Sequence, residues 1–232
     1  MHIGILQTGH MAEAVRHDTG DYNDMFVRLL APYGLSFTTW DVEASDMPAD
    51  PEAAEGWLIT GSRHGAYEDH PWIAPLEALV RRIVAARRPL IGICFGHQIV
   101  AQALGGTVER FAGGWSVGPT AYDREDGTQV VLTAWHRDQV TTPPAAARTI
   151  ASNDFCAHAA FLIGDTTLTW QPHPEYGSDA LAALIAHRGA SVEPERLAKA
   201  QERLAEVTDR RRIGAEMALF FRATRSKATD VA

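Results

Sequence analysis

Cysteine is scarce: Cys94 and Cys156 are the two in 232 residues. Two thiols cannot build a disulfide framework for a chain this long, and they cannot complete a four-cysteine zinc site. The expected setting is a reducing cytoplasm with both thiols free. Positive charge is in deficit too. Lysine and arginine total 21 against 29 aspartates and glutamates, a formal net charge of −8. Diffuse negative charge opposes association with nucleic acid or an anionic membrane, both polyanions, so neither is an expected partner. Long apolar runs are missing as well. No stretch reaches the ~18 uncharged apolar residues that suggest a bilayer span, and Ile73 to Ala86 is interrupted by Glu77, Arg81 and Arg82. The first residues, Met1 to Gly9, lack the basic n-region of a secretory signal. Repeats, low-complexity blocks and Gly/Ser linkers are absent. A single domain over 1–232 is the economical expectation, with a helical C-terminal extension from about 190.

What is present is an alternation of short apolar runs with helix-length amphipathic segments. Ile3 to Gln7, Ser36 to Val42, Gly56 to Ser62 and Pro89 to Ile93 read as strands. Asp21 to Tyr33, Trp72 to Arg88 and Gly96 to Leu104 read as helices, the last closed by Gly105-Gly106. The second half is cut into shorter strand-like runs: Val108 to Asp123, Gln129 to Thr133, Thr149 to Ser152, Ala159 to Ile163 and Thr167 to Gln171. Asp126-Gly127, Pro143-Pro144, Asn153-Asp154 and Gly164-Asp165 separate them as turns. From Ser178 the chain turns helical, notably over Leu197 to Val207 and Met217 to Arg222, and Ser226 to Ala232 read as a frayed polar tail. This order predicts an α/β fold. Its centre is an open, mostly parallel sheet with helices on both faces, and antiparallel hairpins are added in the second half.

The most informative segment is Gly92-Ile93-Cys94-Phe95-Gly96-His97-Gln98. A thiol stands between a buried strand and a helix, with glycine two positions away on either side. That is the pattern of a nucleophile elbow, in which the glycines permit a tight turn that pushes the nucleophile out at the strand's carboxyl end. The following helix aims its N-terminal N–H groups and positive dipole end at the thiol, which favours thiolate. The same geometry puts the Phe95 N–H where an oxyanion would develop.

A base is supplied by Gln171-Pro172-His173-Pro174-Glu175. The flanking prolines stiffen the backbone around His173. In extended chain, residues two apart point the same way, so Glu175 can hold one ring nitrogen while the other faces Cys94. This is the orienter, base and nucleophile logic of a triad. A metal centre is not expected. Pro-Cys-x-x-Cys does not follow His173, and His-Glu-x-x-His is absent.

Taken together, Gly-Ile-Cys-Phe-Gly-His-Gln at 92–98 and Gln-Pro-His-Pro-Glu at 171–175 resemble the class I, triad-type glutamine amidotransferases. The resemblance runs from about Ile3 to Arg188. It is nearest to the glutaminase domain of GMP synthetase and its stand-alone relatives. Ile59-Thr60-Gly61-Ser62, Ala66-Tyr67-Glu68-Asp69, Leu104-Gly105-Gly106-Thr107-Val108 and Trp135-His136-Arg137-Asp138-Gln139-Val140 match lesser elements of that family. The resemblance implies Cys94 as nucleophile, His173 as general base and acid, and Glu175 as its orienter. Backbone N–H groups of Gly61 and Phe95 would form the oxyanion hole. Gln98, Ser62, Trp115 and Ser116 would contact substrate. The implied reaction is attack of Cys94 on the glutamine side-chain amide, release of ammonia, and hydrolysis of a γ-glutamyl thioester, with neither metal nor organic cofactor.

Departures from the family pattern leave the substrate open. About 40 residues follow Ala190, fewer than a synthetase domain needs, and no Gly-rich phosphate loop ending in Lys-Ser or Lys-Thr is present. One reading is a glutaminase that feeds ammonia to a separate synthetase subunit. Another is an autonomous γ-glutamyl peptidase whose leaving group is a larger amine, with Arg63, His64 and Trp115 shaping its pocket. A third, of another class, is a non-catalytic regulatory or redox-sensing protein on the same scaffold, with Cys156 as resolving thiol if it lies in reach of Cys94. Arg210-Arg211-Arg212 reads as a solvated face of a late helix, His97 as structural, and Cys156 as a buried small hydrophobe.

Overall fold

Alternation within the first strands decides the architecture. In β1 (His2–Gln7), Ile3 and Ile5 enter one apolar core while Leu6 enters another. In β3 (Gly56–Ile59), Leu58 goes to the first core, Trp57 and Ile59 to the second. In β4 (Leu90–Ile93) the same division sends Ile91 and Ile93 one way and Leu90 the other. A sheet buried on both faces must be covered twice. Helices α2 (Tyr22–Leu30) and α7 (Arg210–Thr229) contribute Phe26, Leu29, Ile213, Met217 and Phe221 to the first core. Helices α3 (Ile73–Ala85) and α4 (Phe95–Ala103) contribute Leu76, Val80, Ile83, Ile99 and Val100 to the second. The computed structural model describes residues 1–229, and side chains as far as Thr224.

The remaining strands are β2 (Ser36–Asp41), β5 (Thr107–Arg110), β6 (Ser116–Arg124), β7 (Gln129–His136), β8 (Asp138–Thr142), β9 (Ala147–Ser152), β10 (Ala160–Ile163) and β11 (Thr167–Trp170). Nine strands form one sheet in the order β2-β1-β3-β4-β11-β10-β9-β6-β7. The stretch from β2 to β11 is parallel throughout, and β11 pairs with β4 in register Trp170 to Ile93. The stretch from β11 to β7 is antiparallel. This is the expected α/β fold, a parallel sheet centre extended by hairpins from the second half.

Four details differ from the sequence expectation. The run from Val108 to Asp123 is not one strand: Phe111 to Trp115 interrupts it, and β5 leaves the main sheet to pair with β8 as a separate two-stranded ribbon. Helix α1 (Glu13–Thr19) was not anticipated; it lies beside α5 (Ser178–Arg188), and Val15 packs in one cluster with Ala180 and Leu184. Its apolar face is too short for a helical period to stand out. Helix α6 (Pro194–Glu202) starts and stops earlier than Leu197 to Val207, because Pro194 is well placed at the first helical position. The backbone of 226–229 is helical, the end of α7, rather than frayed; 230–232 lie outside the described residues. Among the described residues, no helix is long and apolar enough to cross a membrane.

The topology fixes where chemistry gathers. β4 and β11 are neighbours and run the same way, so the turns after Ile93 and after Trp170 emerge side by side. The first carries Cys94 and the second His173 and Glu175.

Candidate active site

Cys94 is the turn itself. It has φ 54° and ψ −103°, between the end of β4 and the first residue of α4. An L-residue with a side chain rarely takes that backbone. Its N–H donates to the Trp170 carbonyl at 2.8 Å, and its carbonyl accepts from the Gln98 N–H at 3.0 Å. Both flanking glycines are sterically required. A Cβ at Gly92 would collide with the Gly96 carbonyl, and a Cβ at Gly96 with the Ile59 carbonyl. The Phe95 N–H occupies the first helical position, where no preceding turn supplies a carbonyl.

The neighbouring turn after β3 is pinned just as firmly. The Thr60 carbonyl accepts from the Gly96 N–H at 3.0 Å and from the Thr8 hydroxyl at 3.1 Å. In a planar peptide the C=O and N–H point opposite ways, so these two donors also fix the direction of the Gly61 N–H. Gly61 abuts the imidazole: a Cβ there would lie 3.0 Å from Cε1 of His173 and 3.1 Å from Cε1 of Tyr22.

His173 and Glu175 lie past the end of β11, in a turn rather than an extended strand; the backbone of His173 bridges to Thr133 of β7. Sequence reasoning placed the two side chains together by strand alternation. The turn achieves the same contact. His173 Nδ1 is 2.6 Å from Glu175 Oε1, and both residues are buried. Among the described residues, His173 Nε2 makes no direct hydrogen bond. Burial disfavours charge on the ring, but the Glu175 carboxylate and the Cys94 sulfur outweigh it and raise His173 to about 10. The ring is also stacked on Tyr176, with centroids 4.0 Å apart and planes 5° from parallel. An imidazole held by a carboxylate on one nitrogen and facing a thiol with the other can accept and return a proton.

These groups open onto a cavity of about 310 Å³ lined by Cys94, His173, Tyr22 and Tyr176 at its base. Of the expected contact residues, Gln98, Ser62 and Trp115 line it, as do Arg63 and His64. Ser116 does not; it is buried at the start of β6, opposite His136 in register. The Gln98 amide nitrogen donates to the Asp138 carbonyl at 2.9 Å and to Gln171 Oε1 at 3.1 Å. Both partners are acceptors, so the amide cannot be turned over and its oxygen is left for another donor. The Ser62 hydroxyl is engaged by the His64 N–H at 3.1 Å. Two motifs that are weak separately meet here: the Tyr67 hydroxyl donates to Asp138 Oδ2 at 3.0 Å. Burial and the Asp138 carboxylate push the Tyr67 phenol up to about 12. His136, also in the wall, is held neutral by burial and by the charge of His173, with its pKa lowered to about 3.

Several residues escaped sequence reasoning. Tyr22, Tyr176, Arg110, Arg137 and Arg188 line the cavity from five separate segments. Arg210, read as part of a solvated basic face, instead donates to the Pro174 carbonyl at 3.3 Å and the Glu175 carbonyl at 3.0 Å. Helix α7 thus clamps the turn that carries His173. Its neighbour Arg212 donates to the Gln129 carbonyl at 3.0 Å, and Arg211 is exposed. Cys156 is free and buried, and burial pushes its thiol up to about 12, away from the thiolate that disulfide exchange requires. His97 is fully buried against Phe161, as a structural residue would be.

A family model described as class-I glutamine amidotransferase matches residues 17–189. Gamma-glutamyl peptidase 2 of Arabidopsis thaliana is 31% identical over 215 residues, covering 85% of this chain and 86% of that protein. A glutamine-hydrolysing GMP synthase of Bacteroides fragilis is 30% identical over 146 residues, covering 58% of this chain and 27% of that protein. The crystal structure of a glutamine amidotransferase from Methylobacillus flagellatus superposes with a TM-score of 0.78 at 23% identity, covering 97% of this chain and 94% of that one. With the family model spanning most of its length, the chain is a member of the class-I glutamine amidotransferase family.

Proposed function

We propose that this protein hydrolyses the amide bond of a γ-glutamyl compound through a thioester on Cys94. The observation that carries the reading is His173, held at 2.6 Å by Glu175 on one ring nitrogen with the other nitrogen left for the Cys94 sulfur. The Cys94 proton passes to His173 Nε2, and Sγ attacks the γ-carbonyl carbon. Charge develops on the carbonyl oxygen, and the N–H groups of Phe95 and Gly61 receive it. When the tetrahedral species collapses, the C–N bond breaks and His173 returns its proton to the leaving nitrogen. Water then attacks the thioester, giving a proton to His173. The C–S bond breaks, the sulfur regains that proton, and the γ-carboxylic acid that is left gives its remaining proton to solvent. The Gln98 amide oxygen is placed to accept from an N–H of the substrate.

With free glutamine the leaving group is ammonia, and a separate synthetase subunit is the partner that would consume it. A second reading, a γ-glutamyl peptide as substrate, is favoured by the cavity wall. Arg110, Arg137 and Arg188 line it outside contact ion pairs among the described residues, although Arg110 and Arg137 act at longer range on Asp138 in the same wall, in a chain of net charge −8. Cations left unpaired around a cavity suit a substrate with a further carboxylate beyond the glutamyl group. The family relationship to a protein named gamma-glutamyl peptidase supports the same reading.

The test is ammonia release from glutamine by the purified chain, beside amine release from a set of γ-glutamyl peptides. Turnover of either class that vanishes in Cys94→Ala supports the mechanism, and the preferred class chooses between the substrates. Full activity in Cys94→Ala would refute it.

A further inference from the structure

Outside the triad, three metal-ligating side chains converge at the rim of the same cavity. His64 Nδ1 is 3.4 Å from Glu68 Oε2, and His70 Nε2 is 2.7 Å from that same oxygen. The three ligand atoms all lie within 4.8 Å of one another. His64 and Glu68 line the cavity that contains Cys94, whereas His70 stands behind them. We propose that His64, Glu68 and His70 form a binding site for a divalent transition-metal ion of the zinc class.

The spacing His-x-x-x-Glu-x-His comes from a turn, not from a helix, which is why helical metal motifs miss it. Two imidazoles and one carboxylate are the donor set of an open zinc site with a fourth position left for water. Zinc holds such ligands at about 2.0–2.1 Å, so its donors stand about 3.3–3.4 Å apart in a tetrahedron. His64 and Glu68 are already at that separation, His70 is nearer to Glu68 at 2.7 Å, and all three donors lie within 4.8 Å of one another.

An independent feature concerns the other side of His64. Its Nε2 is 2.9 Å from Glu43 Oε1, closer than its 3.4 Å approach to Arg63 Nε. Glu43 thus faces Nε2 and leaves Nδ1 as the ring nitrogen turned toward Glu68. Nδ1 lies 3.4 Å from Glu68 Oε2, beyond the usual N–H···O hydrogen-bond range and at the spacing of two ligands on one cation. A carboxylate behind a ligating histidine is the outer partner usual in metal sites, where it fixes tautomer and ring orientation. Arg63 also donates to Glu43 Oε1 at 2.7 Å, so its charge faces that carboxylate. His70 is braced in turn by parallel stacking on Trp72, with centroids 5.7 Å apart and planes 6° from parallel.

This inference is independent of the hydrolase reading, and its test reads metal rather than turnover. Cys94→Ala removes the cavity thiol that zinc would also seek, so that chain is the parent for titration with zinc against a chromophoric chelator and with cobalt(II). The expected result is one saturable equivalent of zinc and a visible cobalt spectrum of tetrahedral type. Adding His70→Ala, or separately Glu68→Gln, should weaken zinc by at least ~10-fold, and adding Glu43→Gln by ~10–100-fold. Metal-free thermal melts identify any variant that has lost its fold. No saturable binding by the parent, or equal affinity in the parent and both folded ligand variants, would overturn the site. His10 lines the same cavity between Asp21 and Asp41, so a loss on His10→Ala with none on His70→Ala would place the metal there and overturn the site too.

Discussion

Gly61 packs its backbone against the His173 ring, where a side chain would crowd it. A Cβ at position 61 would lie 3.0 Å from Cε1 of His173, and one face of that ring is stacked on Tyr176 with centroids 4.0 Å apart. A side chain at position 61 would therefore press on the imidazole by a few tenths of an ångström while Tyr176 and Glu175 hold its other contacts. Gly61→Ala should lower kcat by ~10-fold or more, since displacements well under 1 Å at a reacting group already cost rate, while the chain stays folded. Steady-state kinetics and a thermal melt on the same preparation check this. An alanine variant with unchanged kcat would mean that the ring position is not critical.

The elbow stores strain that can be measured. Cys94 holds φ 54°, where a side chain is disfavoured and glycine is not. Both Cys94→Ala and Cys94→Gly should abolish turnover. Cys94→Gly should nevertheless be the more stable of the two by about 1 kcal/mol, the scale of left-handed strain in an L-residue. Urea unfolding of the two variants gives the number directly. Equal stability would argue that the turn relaxes once the thiol is gone.

The pH profile should report the Glu175 carboxylate. His173 is raised to about 10 by Glu175 and Cys94 against the effect of burial. The proposed mechanism uses the protonated ring to release the leaving nitrogen, so activity should fall as pH rises through the His173 pKa. Removing the neighbouring negative charge lowers that pKa. Glu175→Gln should therefore move the alkaline limb of kcat/KM to lower pH by about 1–3 units, along with a loss in rate. An alkaline limb that stays in place would separate Glu175 from the ionisation of His173.

Stability at low pH should depend on a buried histidine that does not line the cavity. His97 is lowered by burial from 6.5 to about 3, beside Phe161 and with Nδ1 2.8 Å from the Thr169 hydroxyl. Below 6.5 the unfolded chain binds a proton that the folded chain refuses. Its contribution is therefore intact above 6.5 and is lost as pH falls toward 3, at about 1.4 kcal/mol per pH unit. His97→Phe removes that site while keeping an aromatic ring, and Thr169 retains the Phe161 carbonyl as an acceptor. Unfolding free energies between about pH 6 and pH 4 should fall less steeply in the variant by roughly that amount. Identical slopes would show that His97 titrates alike in both states.

Much of this was legible in the sequence because the signals are local. The glycines around Cys94 are two residues from it, and their steric role is visible in spacing alone. His173 and Glu175 are also neighbours, although the argument that joined them assumed extended chain where a turn exists. The parallel order of strands followed from alternating apolar runs. What the sequence hid is long-range. Arg210 reaches the Pro174 and Glu175 carbonyls from a helix 35 residues away in the chain. Nothing in a run of three arginines marks one as a clamp. Arg110, Arg137 and Arg188 share a cavity wall because β5, β7, β8 and α5 converge there, which is a property of topology. Ser116 sits next to the cavity-lining Trp115 in sequence, yet the start of β6 turns it into the interior.

The central claim is that Cys94 carries the glutamyl group during turnover. The most direct measurement is acid-quenched mass spectrometry of the protein mixed with glutamine and, separately, with a γ-glutamyl peptide, followed by digestion to locate the adduct. A γ-glutamyl mass increment is expected on the peptide that contains Cys94, released by hydrolysis and missing in Cys94→Ala. Turnover that persists with that peptide unmodified at every quench time, and that survives Cys94→Ala, would contradict it.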